Sequence, residues 1–381
     1  MNYELDAAEL AIIESAERVA QDVLKPNAQG LDESEAFCAD SLKALGDLGF
    51  MGINLPEAYG GFGITSLAMS RVVEAVAAAC ASTASAMTAH FLATDSLLIG
   101  GTEAQRQQWL PRAATGELLG AFALTEPAAG SNPADMRTRA SQENDGWRIR
   151  GSKHYITNAR EADFIVLYAK TDGDAGHHGI SAFVIPKGTQ GISFSSPEKT
   201  MGLRGSTIYE LSLDCWLPAS ALLGEQGHGF KTAMEVLDRG RVEVAAMALG
   251  IARAAMEHSL SWAQQRQIGP KPLAAYQGTQ WRLADMHTQL QAARLLTLHA
   301  AACRDSGGRF SLESATAKLF AAEAAGFITD AALQLHGGYG YIRDLPLERL
   351  VRDARILRIF EGTSEVQKII ISRAVLDAAR A

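Results

Sequence analysis

Two long helical stretches flank a block of short strand-like runs, and this change of texture near Gly120 and again after "GEQGHGF" restricts the chain to few architectures. Between Ile12 and Leu24 the apolar residues Ile12, Ile13, Ala16, Val19, Ala20, Val23 and Leu24 keep the three-to-four spacing of an amphipathic helix, until Pro26 interrupts it. "SLKALGDLGF" repeats the theme, with Gly49 placed as a helix stop. The run from Ser66 to Ile99 carries almost no charge after Glu74, so it belongs inside a bundle. "WRIRGSKHYIT", "DFIVLYAKT", "ISAFVIP", "GISFS" and "IYELSLDCWLP" are rich in Val, Ile, Tyr and Phe and are punctuated by turn residues, as antiparallel strands are. The helical period then returns through three stretches too long for compact βαβ units and too irregular for sustained heptads. The expectation is an α+β protein with a helical domain over residues 1–120, a middle antiparallel β domain over 121–226 and a helical domain over 227–381.

Partners are bounded by charge and length. The 381 residues, 47% hydrophobic, are enough for two or three packed units. With 35 basic and 43 acidic residues the formal net charge is -8, and no basic block could follow a phosphate backbone, so nucleic acid is not an expected partner. The amino terminus lacks the positive start and continuous apolar run of a secretory signal, and no apolar stretch is long enough to span a bilayer. Cys38, Cys80, Cys215 and Cys303 are widely spaced and form no CxxC pair, which suits reduced thiols; a cytoplasmic protein without membrane partners is expected.

Familiar catalytic signatures are mostly absent: there is no P-loop, HExxH, GxSxG or GxGxxG opening a βαβ unit. His177 and His178 are adjacent in a loop, a poor spacing for metal ligands, and no metal centre is expected. "ALTEPAAGSN" leaves an apolar strand and offers Gly130 and Ser131 with backbone donors, either to a carbonyl-rich or anionic cofactor or as a hydroxyl-capped turn. In "HYITN", Thr157 faces a ring system or merely ends a strand. The glycine cluster of "QLHGGYGYIRD" exceeds what a helix stop needs and allows close approach of a ligand or another backbone. Arg349, Arg352, Arg355 and Arg358 follow at three-residue spacing and read as a solvated basic face.

"RIFEGTSEVQKIII" places Glu361 between Phe360 and Gly362, ahead of an apolar helix. Ser364 and Gln367 have the spacing of a capping box, so the helix start is accounted for without Glu361. Partial burial beside Phe360 would raise its pKa towards that of a general base; a solvent-exposed loop acid is the equal alternative.

These segments together resemble the acyl-CoA dehydrogenase family along nearly the whole chain, most of all its short-chain and branched-chain members. The motifs are "PEAYGG", "ALTEPAAGSN", "HYITN", "KTMGLRGS", "LLGEQGHGFK", "LDRGRVEVAAMALGIA", "QLHGGYGYIRDLPLERLVRDARI" and "IFEGTSEVQ", in the family's order. The resemblance implies an N-terminal all-α domain, a middle β domain and a C-terminal four-helix bundle. It implies FAD held by Phe122 to Ser131, including Leu124, Thr125 and Gly130, and by Tyr155, Ile156 and Thr157. Arg266, Gln277, Gln334, Gly337 and Gly338 would reach FAD partly across a subunit boundary, with Thr363 and Glu365 in the same cofactor segment. Ser131, Asp238, Arg241, Phe360 and Gly362 would lie at the acyl-CoA thioester.

The implied reaction is α,β-dehydrogenation of a short- or branched-chain acyl-CoA to the trans-2-enoyl-CoA. Glu361 would take the α-proton, flavin N5 would accept the β-hydride, and the Glu361 N–H with a ribityl hydroxyl would hold the carbonyl oxygen. An electron-transferring flavoprotein would be the acceptor, and the assembly a homotetramer. One branch of the family carries its base on a long helix; the matching position here is Gly240, which leaves Glu361 as the candidate. Several positions depart from the family pattern: Asn132 for an aspartate, Tyr155 for a tryptophan, and "RQIGP", where Ile268 and Gly269 replace a hydroxyl and an aromatic that contact FAD. Other readings on the scaffold are a flavin acyl-CoA oxidase or desulfinase, or a CoA-ester binding protein without catalysis. In the helix that lines the family's acyl pocket, His90 and Asp95 stand in an apolar tract, either bonded to each other in the core or facing a polar or short branched acyl group.

Overall fold

A computed structural model describes residues 3–380. Helix α1 (Ala7–Val19) begins at a reciprocal cap, in which Asp6 accepts from Glu9 N at 2.8 Å while the Glu9 carboxylate accepts from Asp6 N. Pro26 does not end this helical run. A single π turn, Ala20–Leu24, leads directly into α2 (Lys25–Ser34), and this widened turn lies just before Pro26, which lacks the N–H of a regular helical ladder. Helix α3 (Ala39–Asp47) stops at Gly49, which takes φ +79° as expected of a stop glycine. Helices α4 (Ser66–Ala79), α5 (Ala81–Gly100) and α6 (Glu103–Ala114) complete the first domain. Every residue of α5 from Ala81 to Leu97 is buried, matching its nearly uncharged sequence.

Strands β1 (Gly120–Ala123), β2 (Arg139–Glu143), β3 (Gly146–Thr157), β4 (Phe164–Lys170), β5 (Ile180–Pro186), β6 (Ile192–Phe194) and β7 (Ile208–Pro218) form one sheet in the order β1-β4-β2-β3-β7-β6, with β5 on β4. Four pairings are antiparallel, whereas β1–β4 and β2–β4 run parallel. The β3–β7 register shifts between Lys153 and Ile156, and Tyr155 in that bulge takes φ +58°. A bulge re-aims a side chain, and here it turns Tyr155 outward.

The last third is α7 (Gly229–Gln265), a ribbon of β8 (Gln267–Ile268) and β9 (Lys271–Pro272), then α8 (Gln277–Asp305), α9 (Ser311–His336), α10 (Gly338–Tyr341), α11 (Leu347–Ile356) and α12 (Ser364–Ala378). Helix α7 packs on α8 and α9 and also on α4 and α5, and its residues Gly240 to Ala252 are all buried. One apolar core therefore runs from Ile13 through Val244 to Leu357. The arginine series is only partly a solvated face: Arg355 is exposed, but two of the others are engaged. Arg352 makes a bidentate pair with Asp32 on α2, at 2.8 and 2.6 Å, and a second with Glu348, while Arg358 meets Glu323. The spacing is correct for one helical face, but α2 and α9 bring carboxylates to it. Among the described residues no helix is long and apolar enough to cross a membrane, and the four cysteines are free thiols.

Candidate active site

Glu361 stands on the turn between α11 and α12 with φ +51°, followed by Gly362 at +92°. Two successive residues in the left-handed region are costly for a non-glycine and persist only where surrounding bonds fix them. Those bonds are present. Lys318 Nζ, from α9, donates to Gly362 O at 2.6 Å, and Gln367 Nε2 donates to Gly362 O at 2.9 Å and to Glu361 O at 3.2 Å. The expected capping box is displaced by one residue. Thr363 is the cap of α12, accepting from Val366 N, while Ser364 donates to Glu323 at 2.7 Å and Gln367 turns back to the turn's carbonyls. The shift follows from the tertiary partner Glu323, which the local sequence does not show.

The Glu361 carboxylate lies inside the protein against α7 and α5. A Cβ built on Gly240 would stand 2.2 Å from Glu361 Oε2 and 2.8 Å from Leu92 Cδ2. Oε2 is buried without a hydrogen-bond partner. Burial pushes the Glu361 carboxyl up to about 7, against the pull of the Lys318 and Arg241 cations. Among the described residues the Glu361 N–H also has no acceptor, although Phe360 N and Ser364 N on either side are bonded. One residue thus presents an unpaired acid and an unpaired donor on the same turn. Phe360 packs at the edge of the core beside it.

Arg241 is buried, and Asp238 receives short bonds from both Arg241 and Ser311, so Asp238 is engaged within the chain rather than open to a ligand. His90 and Asp95 are both buried but are not bonded to each other. His90 Nδ1 accepts from Gly120 N at 2.9 Å, and burial pushes its pKa down to about 4, so the ring is neutral. Asp95 instead meets Arg239 and Asn54, each at 3.1 Å. Helical periodicity separates positions 90 and 95 by more than a turn, and each finds its partner on another element.

A second surface comes from the sheet. Buried Lys153 donates to Leu124 O at 2.9 Å and to Glu126 at 2.8 Å, and His154 N donates to Thr125 O at 2.9 Å. These bonds tie the segment of Leu124 and Thr125, which follows Phe122, to the end of β3 that carries Tyr155, Ile156 and Thr157. Tyr155 is 60% exposed and stacks on His154, with centroids 4.0 Å apart; Ile156 is buried beneath. Gly130 and Ser131 are exposed, and a Cβ on Gly130 would meet nothing.

A groove of about 400 Å³ on the C-terminal bundle collects Arg266, Gln334, Gly337 and Gly338, with the Arg266 guanidinium over the rings of Trp262 and Tyr339. Ile268 also lines it. Gln277 opens α8 on the surface outside that lining, and Thr363 and Glu365 stay with the Glu361 turn. Among the described residues no hydrogen bond or ion pair joins this groove to the sheet surface. The residues fit a dinucleotide cofactor: an exposed aromatic and open backbone suit a flat ring, and a guanidinium beside two adjacent glycines suits a phosphate. Sequence reasoning overlooked Lys153, Lys318, Arg304 and Glu243, and included Glu126 only as part of the segment Phe122 to Ser131. A lone Lys in "SATAKLFAAEAAGF" was the available signal for Lys318.

The chain matches models of the acyl-CoA dehydrogenase N-terminal domain over residues 6–117, middle domain over 121–215 and C-terminal domain over 227–376. It is 41% identical to acryloyl-CoA reductase (NADH) of Anaerotignum propionicum, over 99% of this chain and 96% of that one. It is 41% identical to the mitochondrial short-chain specific acyl-CoA dehydrogenase of Bos taurus, over 95% and 88%. A chain in the solved structure of the electron transferring flavoprotein of Acidaminococcus fermentans superposes with a TM-score of 0.97 at 39% identity, covering 99% of this chain and 100% of that one. Matched through both helical domains and the sheet between them, this chain belongs to the acyl-CoA dehydrogenase family of FAD-dependent enzymes.

Proposed function

We propose that the chain converts a short-chain acyl-CoA to the trans-2-enoyl-CoA, with Glu361 removing the α-proton. The observation that carries this reading is the pairing of the buried, unpartnered Glu361 Oε2 with the unbonded N–H of the same residue. A thioester α-proton is too weakly acidic for a carboxylate to remove unaided, so the carbonyl oxygen needs a donor that gains strength as enolate charge develops. The Glu361 N–H is such a donor, and it fixes the carbonyl relative to the base on the same turn. Lys318 and Gln367 hold that turn, which keeps both groups in place without reorganisation during the reaction. Its pKa of about 7 keeps Glu361 largely ionised just above neutrality while making it a stronger base than an ordinary carboxylate.

Bound FAD supplies the acceptor for the β-hydride. Phe122 to Ser131 and Tyr155 to Thr157 would hold it, and Arg266, Gln277, Gln334, Gly337, Gly338, Thr363 and Glu365 would reach its remainder. Because the bundle groove and the sheet surface share no bond within one chain, a homotetramer with a composite cofactor site is the proposed assembly. Ser131, Phe360, Gly362 and Arg241 would meet the thioester, with Asp238 acting through Arg241. The short chain rests on the relatives' substrate class, and the flavoprotein acceptor on the structural neighbour.

The test is anaerobic mixing of the flavin-loaded enzyme with acyl-CoAs while flavin absorbance is followed. Glu361→Gln is expected to keep FAD and ligand binding and to lose bleaching by a hundredfold or more, on the order of a general base's contribution. Bleaching at the parental rate would refute the assignment.

A further inference from the structure

One helical turn from the base, α5 and α7 direct charged side chains inward. The Glu361 carboxylate rests against Leu92 and Gly240; Asp95 lies three residues beyond the first and Glu243 three beyond the second, and each is 1% exposed. Asp95 Oδ1 accepts from Arg239 Nη1 and Asn54 Nδ2, both at 3.1 Å. Arg304, reaching in from α8, places Nη1 3.5 Å from Glu243 Oε1 and Nη2 4.0 Å from Asp95 Oδ2. The cluster is incompletely satisfied. Asp95 Oδ2, both carboxylate oxygens of Glu243, Asn54 Oδ1 and Arg304 Nη1 are buried without a hydrogen-bond partner. Buried polar atoms are almost always paired; Glu243 Oε1 and Arg304 Nη1 face each other across their ion pair, and the remaining three atoms, all oxygens, lack a donor and point to a missing polar group.

We propose that Asp95, Glu243, Asn54 and Arg304 form a polar acyl subsite, which selects a short acyl-CoA carrying a neutral hydrogen-bond donor, a hydroxyl or an amide, near C4. The inference rests on Glu361 as the base, since that fixes where the acyl Cα stands. One helical turn rises about 5 Å, roughly the reach of three or four carbon–carbon bonds beyond Cα. The chemistry of the group follows from the orphan atoms. The three atoms outside the Arg304–Glu243 contact are all oxygens, so a donor is wanted. A carboxylate terminus is disfavoured, because each guanidinium already faces an acid, Arg239 with Asp95 and Arg304 with Glu243. An apolar tail would leave these three oxygens without a donor, and sites built to bond a polar group reject the analogue that lacks it. His90 takes no part, being bonded to Gly120.

The test uses FAD-loaded Glu361→Gln enzyme, in which binding is separated from turnover. Dissociation constants for 4-hydroxybutyryl-CoA, butyryl-CoA and succinyl-CoA are measured by titration calorimetry, and bleaching by the same compounds is followed in the parent. The expected result is that the hydroxylated ligand binds at least tenfold more tightly than the other two, and that Glu243→Leu removes this preference with the flavin spectrum intact. Should Glu243→Leu fail to fold, Asp95→Asn, which keeps the shape and removes the charge, is expected to reduce the preference severalfold. Equal or tighter binding of butyryl-CoA or succinyl-CoA, or a preference untouched by the substitution, overturns the subsite. If Glu361→Gln bleaches like the parent, the base assignment falls instead, and the binding ratios still decide whether the polar subsite exists.

Discussion

Gly240 lies so close beneath Glu361 that a single added Cβ would stand 2.2 Å from the carboxylate oxygen Oε2. The long helix thus leaves room for the base that the following turn provides. Gly240→Ala should force the carboxylate aside and push the end of the Leu92 side chain with it. A displacement of about 1 Å costs on the order of a hundredfold in rate, whereas overpacking by one methyl costs roughly 1–3 kcal/mol of stability. Flavin bleaching and thermal unfolding of the same variant separate the two effects.

The acidic limb of the rate profile should report the base. Glu361 must be ionised to accept the α-proton, so kcat/KM is expected to rise with pH through an apparent pKa of about 7. The groups facing it are the cations of Lys318 from α9 and Arg241 from α7, and Glu243 from α7, whose own carboxyl burial pushes up to about 8. Lys318→Met removes a cation that favours the carboxylate, and the limb should move to higher pH by about one pH or more. An unmoved limb would show that another group titrates.

Burying that carboxylate costs stability that Glu361→Gln should recover. An acid whose folded pKa is raised above its ordinary value of 4.5 supports the fold fully below 4.5 and loses that support as pH rises through about 7. Glu361→Gln is therefore expected to be more stable than the parent at pH 8, by about 1–3 kcal/mol, with the gain fading towards pH 4. Denaturant unfolding at the two pH values checks the sign.

Arg352 joins α11 to α2 through its bidentate pair with Asp32, whose carboxyl is held below its usual range in spite of its burial, by the Arg352 bond and charge. Arg352→Met leaves Glu348 without its cation and Asp32 with only the more distant Arg204, at 3.9 Å. Removing one partner of a buried pair costs about 3 kcal/mol or more, so the melting temperature should fall by several degrees, with little change in the flavin spectrum. The double variant Arg352→Met with Asp32→Leu should recover part of the loss.

The sequence by itself determined the order of textures, and with it the helical, sheet and helical thirds, because periods of 3.6 and 2 are local properties of apolar spacing. It also isolated Glu361: a helix start with its own capping residues leaves the preceding acid free, and this held although the cap moved from Ser364 to Thr363. What the sequence did not contain were partnerships across the chain. The arginines at 349, 352, 355 and 358 read as a solvated face until α2 supplied Asp32 and α9 supplied Glu323. His90 and Asp95 read as a pair until each found a partner on another element. Lys318, a lone cation in an apolar helix 44 residues before the carbonyl it holds, and Glu243, buried one turn from the base, take their roles from partners distant in the chain. Only the tertiary structure decided the environment of Glu361. Desolvation and proximity of charge are properties of the packed interior, and they convert an acid of ordinary strength into one that titrates near neutrality.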